Sequence, residues 1–302
     1  MDFIHRLYPL IVAAAALLTA AACGDGDDGI RYGGNSGNTT SGTGQSGAHP
    51  AVLSRIEVPE PKSGNVFVSH WTLQGRDSVM TYCLEFDPQK YHSRWVAFRF
   101  DNKTRAKGTG RTEAWADDPE LPQNLRIGTG YFSGGYSRGH LCASADRLYS
   151  AEANAQTFYM SNMSPQLSDF NAGIWQKLEA YVQGIGRDAA FADTLYVVKG
   201  GTIADGQLKG APLVRNGGLQ SIAVPQHYFM ALLKVKNNTY SGVAFLMEHR
   251  NYGSVPERAY VPYALTIDEL ENFTGINFFP NLPDQVEEVV EAAFTPSAWQ
   301  LN

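Results

Sequence analysis

Tyr136-Ser137-Arg138-Gly139-His140-Leu141 opens the stretch that decides how this chain is read. It runs on through Asp146-Arg147 to Asn162-Met163-Ser164-Pro165-Gln166, and then to Asn171-Ala172-Gly173-Ile174-Trp175-Gln176-Lys177-Leu178-Glu179. The last block sits on the best-marked helix of the sequence. Phe170, Ile174, Leu178, Tyr181, Val182 and Ile185 recur at helical spacing and cluster on one face. Ser168 stands where an N-cap is expected. On the same helical wheel Asn171 falls on the apolar face. A buried amide there must bond to protein, water or metal, and a neighbouring loop would satisfy it as well as an ion would.

His140 follows Arg138 and Gly139. An imidazole can serve as a general base when its pKa suits the working pH. A guanidinium offers a planar fork to phosphate oxygens. Arg-Gly-His alone is weak evidence, because six other histidines share the chain. The fuller set, with a downstream helix carrying Asn171 and Glu179, points to phosphodiester chemistry. Other site motifs are absent from the sequence: a Walker A loop, GxSxG, HExxH and CxxC. Gly128-Thr129-Gly130 with Gly134 imitates a dinucleotide loop, but the spacing is off and no helix pattern follows.

Outward from this centre, residues 79–86 and 95–100 read as strands, stopped by Asp87-Pro88 and Asp101-Asn102, and their proximity predicts an antiparallel pair. A locally basic loop with Arg105, Lys107 and Arg111 follows. Residues 194–198 read as a buried strand. Residues 226–235 and 242–247 read as two more, joined as a hairpin through Asn237-Asn238. Thr266-Ile267-Asp268-Glu269 is a capping box opening a short helix that Gly275 ends, and residues 284–294 read as the last helix. Strands in groups, not alternating with helices, predict an α+β fold with a largely antiparallel sheet.

The 302 residues, 43% of them hydrophobic, suffice for one large domain or two small ones. A net charge of −6 argues against a generally basic surface and leaves room for a local basic cleft. Residues 1–22 read as an export signal: Arg6 precedes an apolar run from Leu10 to Ala22 that is too short to span a bilayer. Ala20-Ala21-Ala22-Cys23 resembles a bacterial lipobox, with Cys23 the lipidated residue and a membrane anchor. The alternative is a plainly secreted protein. Residues 23–50 are rich in Gly, Ser and Asp and read as a tether. Acidic residues just after Cys23 suit an outer-membrane lipoprotein exposed at the cell surface. Residues 51–302 form the folded domain. Its cysteines, Cys83 and Cys142, read either as a disulfide or as two buried thiols.

Taken together, these motifs resemble the DNA/RNA non-specific endonuclease family, whose site lies on a ββα-metal motif. The family's Asp-Arg-Gly-His stands here as Ser137-Arg138-Gly139-His140, and its Asn-x-x-Pro-Gln as Asn162 to Gln166. The helix signature is Asn171, Trp175 and Leu178-Glu179, and an upstream arginine matches Arg111, before Trp115 and Asp118-Pro119. The resemblance implies a sugar-non-specific endonuclease acting on DNA and RNA and leaving 5′-phosphate ends. It implies His140 as general base and Asn171 as the direct protein ligand of one divalent cation, Mg²⁺ or else Mn²⁺. Glu179 would reach that cation through water and Arg111 would stabilise charge on the phosphate. Asn162 would shape the site, and Arg138 would bind phosphate or brace the loop. No protein partner is implied. Ser137 replaces the family aspartate and brings no negative charge. An inactive or weakly active nucleic-acid-binding lipoprotein of the same fold is therefore the alternative.

Overall fold

The computed structural model describes residues 50–302 other than 216 and 217. The expected leader, Cys23 and all but the last residue of the expected tether lie outside the described residues. In chain order the strands are β1 (Val66–Gln74), β2 (Asp77–Asp87), β3 (His92–Phe100), β4 (Tyr136–His140), β5 (Met163–Leu167), β6 (Thr194–Gly201), β7 (Leu213–Arg215), β8 (Gln220–Ile222), β9 (His227–Lys236), β10 (Thr239–Glu248) and β11 (Ala264–Leu265). The helices are α1 (Pro50–Leu53), α2 (Ala151–Gln156), α3 (Ser168–Phe170), α4 (Gln176–Arg187), α5 (Ile267–Thr274) and α6 (Asp284–Ala292).

The expected strands pair as their turn chemistry demands. β2 and β3 form an antiparallel hairpin. Asn237 and Asn238 take positive φ, 49° and 59°, and join β9 to β10 in register Thr239↔Lys236. Asparagine tolerates this left-handed backbone better than most residues, and consecutive positive-φ residues match the twist of a two-residue hairpin. One antiparallel sheet results, in the order β1-β2-β3-β6-β9-β10-β11. The strand β1 extends the edge beyond what the pattern reading anticipated.

Both faces of this sheet are covered. One face carries Leu84, Phe98, Val197, Leu232 and Phe245 against Ile174, Leu178 and Val182 of the helix region at residues 168–187. The other carries Cys83, Trp95, Val198, Ala231 and Ala244 against Ile267 and Leu270 of α5 and Val290 of α6. Two-sided burial explains why Tyr228 to Leu233 of β9 is inaccessible without a polar alternate. A bulge at Thr81 switches the phase of β2: His70 pairs with Tyr82 but Trp71 with Met80. Met80 and Cys83 therefore share one face although their numbers differ in parity.

This alternation rejects the disulfide. Cys83 faces the α5–α6 side and Cys142 belongs to the core on the opposite side. Both are buried free thiols, and burial pushes both up in pKa, which keeps them unreactive.

Between β3 and β6 the chain leaves the sheet and builds an antiparallel ribbon, β4–β5, followed by α3 and α4. The ribbon is held to the sheet by two neutral histidines. His92 donates from Nδ1 to the Ser93 carbonyl (2.7 Å), so its Nε2 is the acceptor facing Ser164 Oγ at 2.6 Å. His249 donates from Nδ1 to the Pro225 carbonyl (2.9 Å), and its Nε2 accepts from the Leu167 amide at 2.7 Å. Burial lowers both imidazoles to about 4. The helix differs from its expected form at two points. Ser168 is its first helical residue, with Leu167 before it and no side-chain cap. The helix is also not continuous: a wide π-type turn at Asn171–Trp175, with Gly173 at φ −102°, ψ −116°, separates α3 from α4.

The neutral histidine clamp makes the fold acid-sensitive in a definite direction. The unfolded chain protonates these imidazoles near 6.5, whereas the folded chain refuses the proton until about 4. Their contribution is complete above pH 6.5 and is lost as pH falls towards 4. For fully buried His92 the full contribution is about 3 kcal/mol. The Tm gap between wild type and His92→Gln should therefore narrow by several degrees between pH 7.5 and 4.5. Parallel Tm curves across that range would refute the clamp.

Candidate active site

Gly139 pairs with Ser164 across the ribbon, and a Cβ at 139 would overlap the side chain of Gln166. Glycine is thus required by close approach, not by its own backbone angles. It delivers His140 to the end of β4, where the chain turns away. There Asn162 fixes the exit: its Nδ2 donates to the Cys142 and Thr157 carbonyls (2.8 and 2.7 Å) and its Oδ1 accepts from the Cys142 amide (2.8 Å). Asn162 is fully buried and has no surface in the cleft.

A cleft of about 520 Å³ opens beside this strand end, lined among others by Arg111, Arg138, His140, Asn171 and Glu179. The structure brings together five of the six domain residues singled out from sequence and places Asn162 directly behind them. The His140 ring sits between Trp115 (centroids 5.6 Å apart) and the edge-on ring of Phe158 (5.0 Å). Its Nε2 is enclosed without a hydrogen-bond partner, while part of the ring stays open to the cleft. Burial first, and then the Arg111 charge, hold its pKa down to about 3. The imidazole is therefore neutral at ordinary pH and able to accept a proton.

Asn171 does not enter the apolar face, contrary to its place on the helical wheel. The π-type turn rotates it to the cleft, where its Nδ2 donates to Ser137 Oγ at 3.2 Å. Ser137 in turn donates to the Gln166 carbonyl at 2.9 Å. The serine that replaces an expected aspartate thus orients the asparagine.

Arg111 is half-exposed, paired with Glu113, and lies over the Phe158 ring at 4.7 Å. Glu113 also accepts from Trp115 Nε1 at 2.9 Å. Arg138 is sandwiched between Trp115 (3.5 Å) and Tyr131 (4.2 Å) and donates to the Thr129 carbonyl at 2.7 Å, which braces the loop before the ribbon. Asp118 is buried away from the cleft, 3.0 Å from His70 Nε2. Arg147 is also buried, stacked on Phe98 and Phe100.

The sequence reading missed Lys199. It lies on β6 with the same parity as Leu195 and Val197, so it points to the cleft side of the sheet. Its Nζ is fully buried, 2.7 Å from Asp146 Oδ2 and 3.2 Å from Glu179 Oε1. The two carboxylates raise the ammonium pKa against the effect of burial, so Lys199 stays charged. Burial raises the carboxyl of Glu179. Asp146 also accepts from the Ala143 amide (2.9 Å) and from Gln183 Nε2 on α4 (3.0 Å). One lysine thereby ties the sheet, the turn after His140 and α4. A lysine inside a strand whose neighbours are all buried was the available signal.

Lys199→Met would leave Asp146 and Glu179 facing each other unpaired. The expected loss is about 3–5 kcal/mol, read as a fall in Tm of roughly 10 °C. A Tm within about 2 °C of wild type would show that the lysine is not needed to hold them.

The profile of the DNA/RNA non-specific endonuclease family matches residues 62–285. A nuclease of Nostoc sp. is 31% identical over 216 residues, 70% of this chain and 75% of its own length. The mitochondrial nuclease EXOG of Xenopus laevis is 28% identical over 219 residues, 67% of this chain but 58% of its own length. Human mitochondrial endonuclease G is 28% identical over 222 residues, 70% of each chain. A chain of the crystallised EndoG/EndoGI complex shares the fold, with a TM-score of 0.60 at 20% identity, covering 79% of this chain and 96% of that one. The ribbon β4–β5 and the helix after it form the ββα-metal arrangement within an α+β fold. With its motifs in order and its cleft on that ribbon, the chain belongs to the DNA/RNA non-specific endonuclease family.

Proposed function

We propose that this chain hydrolyses phosphodiester bonds of DNA and RNA with a divalent cation, without regard to the sugar, and leaves 5′-phosphate ends. The observation that carries the reading is the convergence of a neutral, partly enclosed His140 with Asn171, Glu179 and Arg111 on one cleft.

His140 accepts a proton from water, whose oxygen bonds to phosphorus as the bond from phosphorus to the 3′-oxygen breaks. Arg111 depresses the basicity of His140 in the free protein. A phosphate seated against Arg111 brings negative charge beside the imidazole, which raises its basicity when substrate is in place. Arg111 then also stabilises the added charge on the phosphate oxygens. Glu113, its present partner, is exposed and easily exchanged for a phosphate.

The residues present fit a hard cation. Asn171 and Glu179 are oxygen donors on the cleft wall, and Mg²⁺ accepts a single protein ligand with several waters. Ser137 engages the Asn171 amide nitrogen and leaves its oxygen as the donor. Glu179 already faces the Lys199 ammonium, which opposes a second cation in direct contact and favours contact through water. When bound, the cation would supply Lewis-acid stabilisation of charge at the phosphate. Mg²⁺ suits this donor set, with Mn²⁺ as substitute.

The domain works from a lipid anchor at Cys23, as an outer-membrane lipoprotein facing the cell surface. This part of the reading rests on the alanine run, Cys23 and the acidic stretch after it.

His140→Ala should lower cleavage of plasmid DNA and of RNA by about 10²–10⁴-fold while the domain stays folded, since Nε2 has no hydrogen bond to lose and only the packing on Trp115 and Phe158 is given up. Near-wild-type turnover would sink the general-base role. Asn171→Ala should raise the Mg²⁺ concentration for half-maximal cleavage more than Glu179→Gln does, and the reverse order would overturn the division of roles. For the anchor, full-length protein should incorporate a palmitate analogue in an expressing bacterium and Cys23→Ser should not. Equal labelling of both would place the lipid elsewhere or nowhere.

A further inference from the structure

On the sheet face opposite the cleft, α5 and α6 pack side by side and against β10. Three carboxylates meet at their seam: Asp268 and Glu271 from α5 and Glu291 from the end of α6. One oxygen of each lies within 4.8 Å of the others. Glu291 is only 5% exposed, and its Oε1 is buried without any hydrogen-bond partner. Glu271 is held in place by the Phe278 amide, which donates to its Oε1 at 2.6 Å. Among the described residues no lysine, arginine or histidine pairs with any of the three.

Local helix chemistry accounts for one member only. Asp268 lies in the first turn of α5, where a negative charge is favoured by the helix dipole. Glu291 stands in the last turn of α6, where the same dipole disfavours it. A carboxylate buried there, unpartnered and beside two like charges, is an expensive arrangement unless a cation completes it.

We propose that Asp268, Glu271 and Glu291 form a structural Ca²⁺ site that pins α6 to α5, separate from the catalytic cleft. The donors are all carboxylate oxygen, the set preferred by hard cations. Ca²⁺ takes its ligands at about 2.3–2.6 Å in loose geometry, so oxygens on opposite sides of one ion stand about 4.6–5.2 Å apart. The spread of the three oxygens fits inside that shell with little movement. Mg²⁺, with its shorter, stricter octahedron, fits it less well. Water completes the coordination from the half-exposed side of Asp268 and Glu271.

The test uses the full chain, stripped with chelator and held at pH 7.5 without other divalent ions, with CaCl₂ as the probe. Ca²⁺ at millimolar concentration should raise Tm by at least about 3 °C in wild type and equally in Asn171→Ala, which lacks the proposed catalytic ligand. Asp268→Asn and Glu291→Gln should lose most of that rise. Glu291→Gln should also match or exceed the wild-type Tm in the absence of Ca²⁺, because a neutral amide replaces a carboxyl that burial and its acidic neighbours already push towards the protonated form. Asp268→Asn, at the solvent side, keeps the test intact should Glu291→Gln fail to fold. The proposal is overturned if Ca²⁺ up to 10 mM (roughly a hundredfold above a 10⁻⁴ M site) leaves the wild-type Tm unmoved. It is equally overturned if the rise persists in Asp268→Asn, or if Asn171→Ala abolishes it.

Discussion

The buried ammonium of Lys199 is the constraint on which the site depends. Asp146, in the turn just after His140, and Glu179, on α4, both approach it. Two carboxylates this close could not share a dry pocket without a cation between them. The sheet supplies that cation because β6 places Lys199 one step beyond Val197 on the same face. The strand end carrying His140 and the helix carrying Glu179 are thereby fixed to one rigid element. Both the hydrophobic floor and the polar network belong to the same layer.

A second constraint acts along the chain. The ribbon β4–β5 must lie close enough to the sheet for His92 and His249 to reach it, and both do so only as neutral rings. The π-type turn that follows gives Asn171 its direction. A regular helix would bury the amide beside Ile174 and Trp175. The wider turn at Gly173 sends it to the cleft and lets Ser137 hold it. Ser137, where the resemblance leads one to expect aspartate, holds the asparagine through a hydrogen bond and brings no charge.

The two faces of the sheet divide the labour. The ribbon, α4 and the cleft occupy one; α5, α6 and the carboxylate seam occupy the other. The separation also disposes of the cysteine bridge. Cys83 and Cys142 look complementary in sequence, but a strand turns successive side chains to opposite faces, and a bulge at Thr81 adjusts which residues share a side.

Features that rest on local rules could be read directly from the chain. The Asn237-Asn238 hairpin, the Thr266–Glu269 capping box and the apolar stripe from Phe170 to Ile185 follow from backbone preferences and periodicity within a few residues. The motifs from Ser137 to Glu179 were legible as one site because chemistry-bearing residues recurred in a known order. The apolar run Val66-Phe67-Val68 and the Gly75-Arg76 turn, with Gly75 at φ 64°, carried the signal for β1. The remaining features emerge only on folding. The apolar run around Lys199 marks it as unusual, but its two carboxylate partners are distant in the chain and only the fold brings them to it. Asn171 changes side because the helix breaks, and a wheel drawn at constant pitch cannot contain a break. The Asp268–Glu271–Glu291 seam exists only where two helices meet. Each of these is a charge or amide whose meaning is set by what the fold places within a few ångströms of it, and that distance is not a property of any local stretch of chain.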